Sequence, residues 1–131
     1  MKKKVIIESK LENICAVEKL IDEISDEIKI SSDIYGKVLI ATIEAVNNSI
    51  VHGNKLNPNK KVYINLYIEN RVLHIIIEDE GNGFDYNLVP DPTTPENIEN
   101  ISGRGVFLMK KLADNIIFND KGTQVELIFK V

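Results

Sequence analysis

Glu44 and Asn48 stand four residues apart in Glu44-Ala45-Val46-Asn47-Asn48, a stretch that runs on to His52-Gly53. On a helix that spacing puts a carboxylate and an amide on the same face. Further along come Asp79-x-Gly81-x-Gly83, a carboxylate followed by a flexible turn, and Gly103-x-Gly105, a glycine pair opening a helix. A hard magnesium ion takes oxygen ligands, keeps several waters and is usually shared with phosphates, so an Asn side-chain oxygen beside a nucleotide suits it. One helical turn away, Glu44 is placed to take a proton from an attacking hydroxyl or water. Gly103 and Gly105 offer backbone that phosphates can approach, with amides at the positive end of the following helix. In this order the three motifs supply the parts of a Mg-ATP site assembled from distant segments.

Each motif has a plainer reading when taken singly. Glu44 and Asn48 alone would be an intrahelical hydrogen bond on a solvated stripe, and Gly81 and Gly83 a turn. The ordered set is what favours the nucleotide. A dinucleotide-binding fingerprint is set aside, because the first glycine turn leads into a proline-bearing loop and Gly103-x-Gly105 does not follow a strand. That loop, residues 84–102, contains Asp85, Asp91, Glu96 and Glu99 but no Lys or Arg. Phosphate charge must therefore be met by magnesium, helix amides and Arg104, which reads equally as a phosphate partner or as a surface arginine. His52, near a helix C-terminus, is read as a cap or dipole partner.

The elements that position these residues follow from periodicity. Residues 3–7 read as a strand, and Leu11, Ile14, Cys15, Leu20, Ile21, Ile24 and Ile28 recur at helical spacing. A second helix starts after Ser31-Ser32-Asp33, which offers N-cap side chains, and runs to Val51 before Gly53-Asn54 stops it. Residues 62–68 and 72–78 form a hairpin turning near Asn70, residues 104–113 return to helix, and residues 115–119 and 123–129 form a closing hairpin through Asp120-Lys121-Gly122. The order β-α-α-β-β-loop-α-β-β predicts an α/β (α+β) two-layer sandwich, its mixed, mostly antiparallel sheet covered on one face by helices. Alternation places Leu73, Ile75, Ile77 and Asp79 on one face of their strand, expected to lie under the helices. A carboxylate at the end of a buried face needs a specific partner. Thr123 shares a face with Val125, Leu127 and Phe129, which aims its hydroxyl at the same layer.

With 131 residues, 44% hydrophobic and 27% charged, the chain fits one globular domain over residues 1–131. A net charge of -4 without a basic stripe argues against nucleic acid. Met1-Lys2-Lys3-Lys4 imitates a signal-peptide start, but the apolar run Val5-Ile6-Ile7 ends at Glu8, too short for a secretory or membrane-spanning segment. A cytoplasmic protein is the expectation. Cys15, the sole cysteine, is read as a small buried hydrophobe, leaving no disulfide or zinc site.

Glu44-Ala45-Val46-Asn47-Asn48-Ser49-Ile50-Val51-His52-Gly53, Asp79-Glu80-Gly81-Asn82-Gly83-Phe84-Asp85 and Gly103-Arg104-Gly105-Val106-Phe107-Leu108-Met109 resemble the N, G1 and G2 boxes of the GHKL ATPases, specifically the RsbW-like anti-sigma-factor serine kinases. The resemblance covers the whole chain. It implies the Bergerat fold, an ATP lid at about residues 84–103, adenine recognition by Asp79, magnesium coordination by Asn48, a catalytic base at Glu44 and a threonine near the adenine at Thr123. It further implies phosphorylation of a serine on a small anti-sigma antagonist, sequestration of a sigma factor, and in many members a homodimer. The rival reading is a non-catalytic ATP-binding regulatory module, which would keep Asp79 and the glycines but need no base. A sensor histidine kinase is disfavoured, because the chain has no room for a dimerisation helix bearing a phosphoacceptor histidine.

Overall fold

A computed structural model describes residues 1–82 and 101–131, with residues 101–104 described by their backbone alone. Five strands, β1 (Lys2–Glu8), β2 (Lys61–Glu69), β3 (Val72–Glu78), β4 (Asn115–Phe118) and β5 (Gln124–Lys130), form one sheet in the order β1-β2-β3-β5-β4. Helices α1 (Ile14–Ile28), α2 (Ser32–Asn48) and α3 (Ile101–Leu112) complete the α+β architecture. The sheet is not mixed as the sequence suggests, since every described pairing is antiparallel. The reason lies in the connections: a single helix between strands reverses the chain twice and returns it parallel, whereas the passage through α1 and then α2 reverses it three times and delivers β2 antiparallel to β1.

The core forms between the sheet and the helices. Ile64 and Leu66 of β2, Leu73, Ile75 and Ile77 of β3, and Val125, Leu127 and Phe129 of β5 are buried, each at alternate positions along its strand. Against them lie Val38, Ala41, Ala45 and Val46 of α2, Val17, Ile21 and Ile24 of α1, and Val106 and Met109 of α3. Cys15 is exposed, contrary to the sequence reading. The buried stripe of α1 runs through Val17, Ile21 and Ile24, with Ile14 and Ile28 packed against the same core, and Cys15 lies off that stripe.

Local chemistry fixes the ends. Ser31 caps α2 by accepting from the Ile34 amide at 3.4 Å, and Asn70 and Arg71, with φ of 52° and 64°, make the tight turn between β2 and β3. Helix α2 does not continue regularly to Val51. It stops at Asn48 and widens into a π-helical turn over Ser49–Gly53, closed by the Asn54 amide donating to the Ser49 carbonyl at 2.8 Å. Such single turns are frequent at functional sites. Helix α3 begins at Ile101, earlier than the expected residue 104.

Ile75, fully buried and paired with Leu66 on one side and Leu127 on the other, sits at the centre of the sheet. Ile75→Ala should cost about 2–5 kcal/mol of unfolding free energy by urea titration. A loss below about 1 kcal/mol would mean that this face is not the close-packed core described.

Candidate functional site

Ala41, Ala45 and Val46 keep α2 close to its neighbours, and Glu44 and Asn48 flank that stripe on the side of α3. Gly105 packs directly on the pair. A Cβ at Gly105 would lie 3.0 Å from Asn48 Nδ2, 3.1 Å from Glu44 Oε2 and 3.2 Å from Asn48 Oδ1. The absent side chain thus lets the α3 backbone reach both polar groups. The four leading amides of a helix lack intrahelical acceptors, and Gly103 falls among them by position in α3. Asn48 Oδ1 is buried and has no hydrogen-bond partner among the described residues. A buried acceptor left unpaired costs about 1–3 kcal/mol. An unpaired oxygen beside a carboxylate fits a hard cation, which would supply the missing interaction.

Asp79 lies just past β3 and opposite Thr123, at the entrance to β5; its amide donates to the Thr123 carbonyl at 2.9 Å. It is 9% exposed. The Gly81 amide donates to Asp79 Oδ1 at 2.8 Å, and the Ser49 hydroxyl donates to the same carboxylate. Two glycines press on it. A Cβ at Gly53 would lie 2.5 Å from Asp79 Cγ, and one at Gly81 would lie 2.5 Å from the Gly53 carbonyl carbon. Burial pushes the Asp79 carboxyl above its ordinary value of 3.8, with Glu78 adding to the rise, while the Gly81 amide, the Ser49 hydroxyl and Lys60 oppose it.

Asp79 and Thr123 border a cavity of about 130 Å³ walled by Ala45, Ile77, Val106, Met109 and Val125, with Asn48 and Ser49 also on its lining. Apolar walls with a few convergent polar groups are the usual form of a small-molecule site. Thr123 Oγ1 accepts from Asn119 Nδ2 at 2.9 Å, and the Thr123 amide donates to Asn119 Oδ1 at 2.9 Å. In that first bond the threonine oxygen is the acceptor, so its own proton is not used there. His52 also lines the cavity; burial, then Lys55, lowers its pKa.

Of the residues singled out in the sequence, Asn48, Asp79 and Thr123 meet at this cavity, Gly81 lies against Asp79, and Glu44 and Gly105 adjoin Asn48. Gly83 and residues 84–100 of the expected lid lie outside the described residues, as does the side chain of Arg104. Sequence reasoning missed Ser49, Asn54 and Asn119. Ser49 follows Asn48 directly, and its place one turn beyond Ala45 on the buried stripe was the available signal. Nothing local marks Asn119.

The raised pKa of Asp79 carries a sign. A carboxyl whose folded pKa exceeds its unfolded one contributes stability below the unfolded pKa and loses it as pH rises through the folded value. At neutral pH the ionised Asp79 therefore works against the unliganded fold. Asp79→Asn should melt at or above the wild-type temperature at about pH 7, and the advantage should vanish toward about pH 4. Lower melting at neutral pH that recovers in acid would show instead that the carboxylate stabilises the fold.

Residues 7–129 match the family model described as the histidine kinase-like ATPase domain. The chain is 39% identical over 90 residues to the anti-sigma F factor of Geobacillus sp. (strain WCH70), covering 64% of this chain and 61% of that protein. It is 36% identical over 90 residues to the anti-sigma F factor of Bacillus subtilis (strain 168), with 64% and 61% covered. To the serine-protein kinase RsbW of Staphylococcus aureus (strain JH9) it is 33% identical over 97 residues, covering 67% and 60%. The chain thus spans about three-fifths of the length of the curated relatives it matches. With the family model covering nearly all of the sequence and a cavity ending on the paired motifs, the chain belongs to the family of histidine kinase-like ATPase domains.

Proposed function

We propose that this protein is an ATP-dependent protein-serine kinase and anti-sigma factor in a partner-switching system, phosphorylating a small anti-sigma antagonist. The observation that carries the reading is the buried Asn48 Oδ1, without a partner among the described residues, and Glu44 Oε2, both against Gly105 and next to the cavity bordered by Asp79. The relatives named anti-sigma F factor and serine-protein kinase RsbW support the two roles. A sigma factor, an antagonist with a phosphoacceptor serine, and a second copy of the chain are the proposed partners, in the cytoplasm. Among the described residues no helix is long and apolar enough to cross a membrane.

Each residue has a part. The apolar walls take the adenine ring, Asp79 accepts from its exocyclic amine, and Thr123 donates from the opposite strand. Gly81 supports the Asp79 carboxylate and Gly83 is a further residue of the nucleotide site, while Gly103 and Gly105 admit the phosphates to the head of α3, with Arg104 as a further phosphate partner. Asn48 Oδ1 would hold Mg²⁺, which would supply neutralisation of phosphate charge there. Glu44 takes the proton of the acceptor serine as its oxygen bonds to the γ-phosphorus. The bond to the β,γ-bridging oxygen breaks and ADP leaves.

Glu44→Gln should bind Mg-ATP like the wild type yet transfer phosphate about 10²- to 10⁴-fold more slowly, whereas Asn48→Ala should lose binding and transfer together. Nucleotide calorimetry beside radiolabel transfer to the antagonist separates the two. Equal transfer by wild type and Glu44→Gln would remove the base assignment. Absence of transfer by the wild type would favour a non-catalytic ATP-binding regulatory module.

A further inference from the structure

Asn54, immediately after Gly53, is 1% exposed. Its Nδ2 donates to Ser9 Oγ at 2.8 Å and to the Lys61 carbonyl at 2.9 Å, and its Oδ1 accepts from the Glu80 amide at 2.8 Å. The surrounding groups are also committed: Ser9 Oγ donates to the Lys60 carbonyl at 2.6 Å, the Lys61 amide donates to the Glu80 carboxylate, and the Asn54 amide closes the π-helical turn onto Ser49. One side chain therefore joins the segment after β1, the start of β2, the turn that ends α2 and the loop that follows β3.

The joint lies next to Asp79. Asn54 Oδ1 fixes the Glu80 amide, the neighbouring Gly81 amide holds Asp79 Oδ1, and Gly53, the residue before Asn54, presses on the carboxylate. An amide is suited to the place because it offers two donors and an acceptor on one short arm. Alanine would remove the acceptor of the part-buried Glu80 amide; aspartate would keep that acceptor and lose both donations. We propose that Asn54 is a positioning residue for base recognition: it holds the Asp79-Glu80-Gly81 backbone against the turn that ends α2, so the carboxylate keeps one orientation toward the purine. This rests on the reading of Asp79 as the group that recognises adenine.

The test is the ratio of ATP to GTP affinity, measured by calorimetry on the whole chain, with melting temperatures recorded beside it. Asn54→Ala should lower ATP affinity roughly tenfold, the effect of one misplaced hydrogen bond, and leave GTP affinity unchanged, so the ratio falls. Asn54→Asp and Ser9→Ala disturb the same network but keep the contact to the Glu80 amide; both should lose stability and retain the wild-type ratio. A wild-type ratio in Asn54→Ala overturns the proposal. So does a ratio that falls in Asn54→Asp in step with its melting temperature, since selectivity would then follow stability. Asp79→Asn separates this from the underlying reading: a ratio unchanged there removes Asp79 from base recognition, whereas a ratio lost there and kept in Asn54→Ala defeats the positioning role alone.

Discussion

The structure turns on a carboxylate kept out of water. Asp79 is confined between the backbones of Gly53 and Gly81, in space that no side chain at either position could share. Burying a charge this far is unfavourable without hydrogen bonds, and the Gly81 amide and Ser49 hydroxyl compensate only in part, which is why its pKa remains raised. The carboxylate stands at the polar end of an apolar cavity, where the proposed reading has it accept from the exocyclic amine of a planar base.

Several elements serve that arrangement. The π-helical turn brings Ser49 and Gly53 onto the carboxylate within one short segment, and Asn54 then ties the segment to two strands and to the loop after β3. Antiparallel pairing of β3 with β5 sets Thr123 opposite Asp79, so two groups from distant parts of the chain face one cavity. At the other end, Gly105 admits α3 to contact with Glu44 and Asn48. Asn48 lines the cavity as well, linking the base-sized space to the polar pair where chemistry is proposed.

Much of this is legible in the sequence because it depends on short-range geometry. Alternation along β3 puts Asp79 on the buried face with Ile75 and Ile77, and helical spacing puts Glu44 and Asn48 together; neither inference needs tertiary knowledge. Periodicity also locates α2 and its Ser31 cap. What escapes are features set by long-range contact. The insertion of β5 between β3 and β4 depends on which strands pair, and the closeness of Gly53 to Asp79 depends on how α2 ends over the sheet. Asn54 resembles any helix-stopping residue until Ser9, Lys61 and Glu80 converge on it from three other segments. The error at Cys15 has a different origin: many apolar residues in α1 blur the phase of its stripe, and the true stripe runs through Val17.

The central claim is that the Asp79 carboxylate itself reads the nucleotide. The most direct measurement is the NMR signal of its side-chain carboxyl carbon during a titration with Mg-ATP at constant pH. The account predicts a shift that saturates together with calorimetric binding, since a new donor at the carboxylate changes the environment of that carbon. Saturable ATP binding with an unmoved Asp79 signal would contradict it.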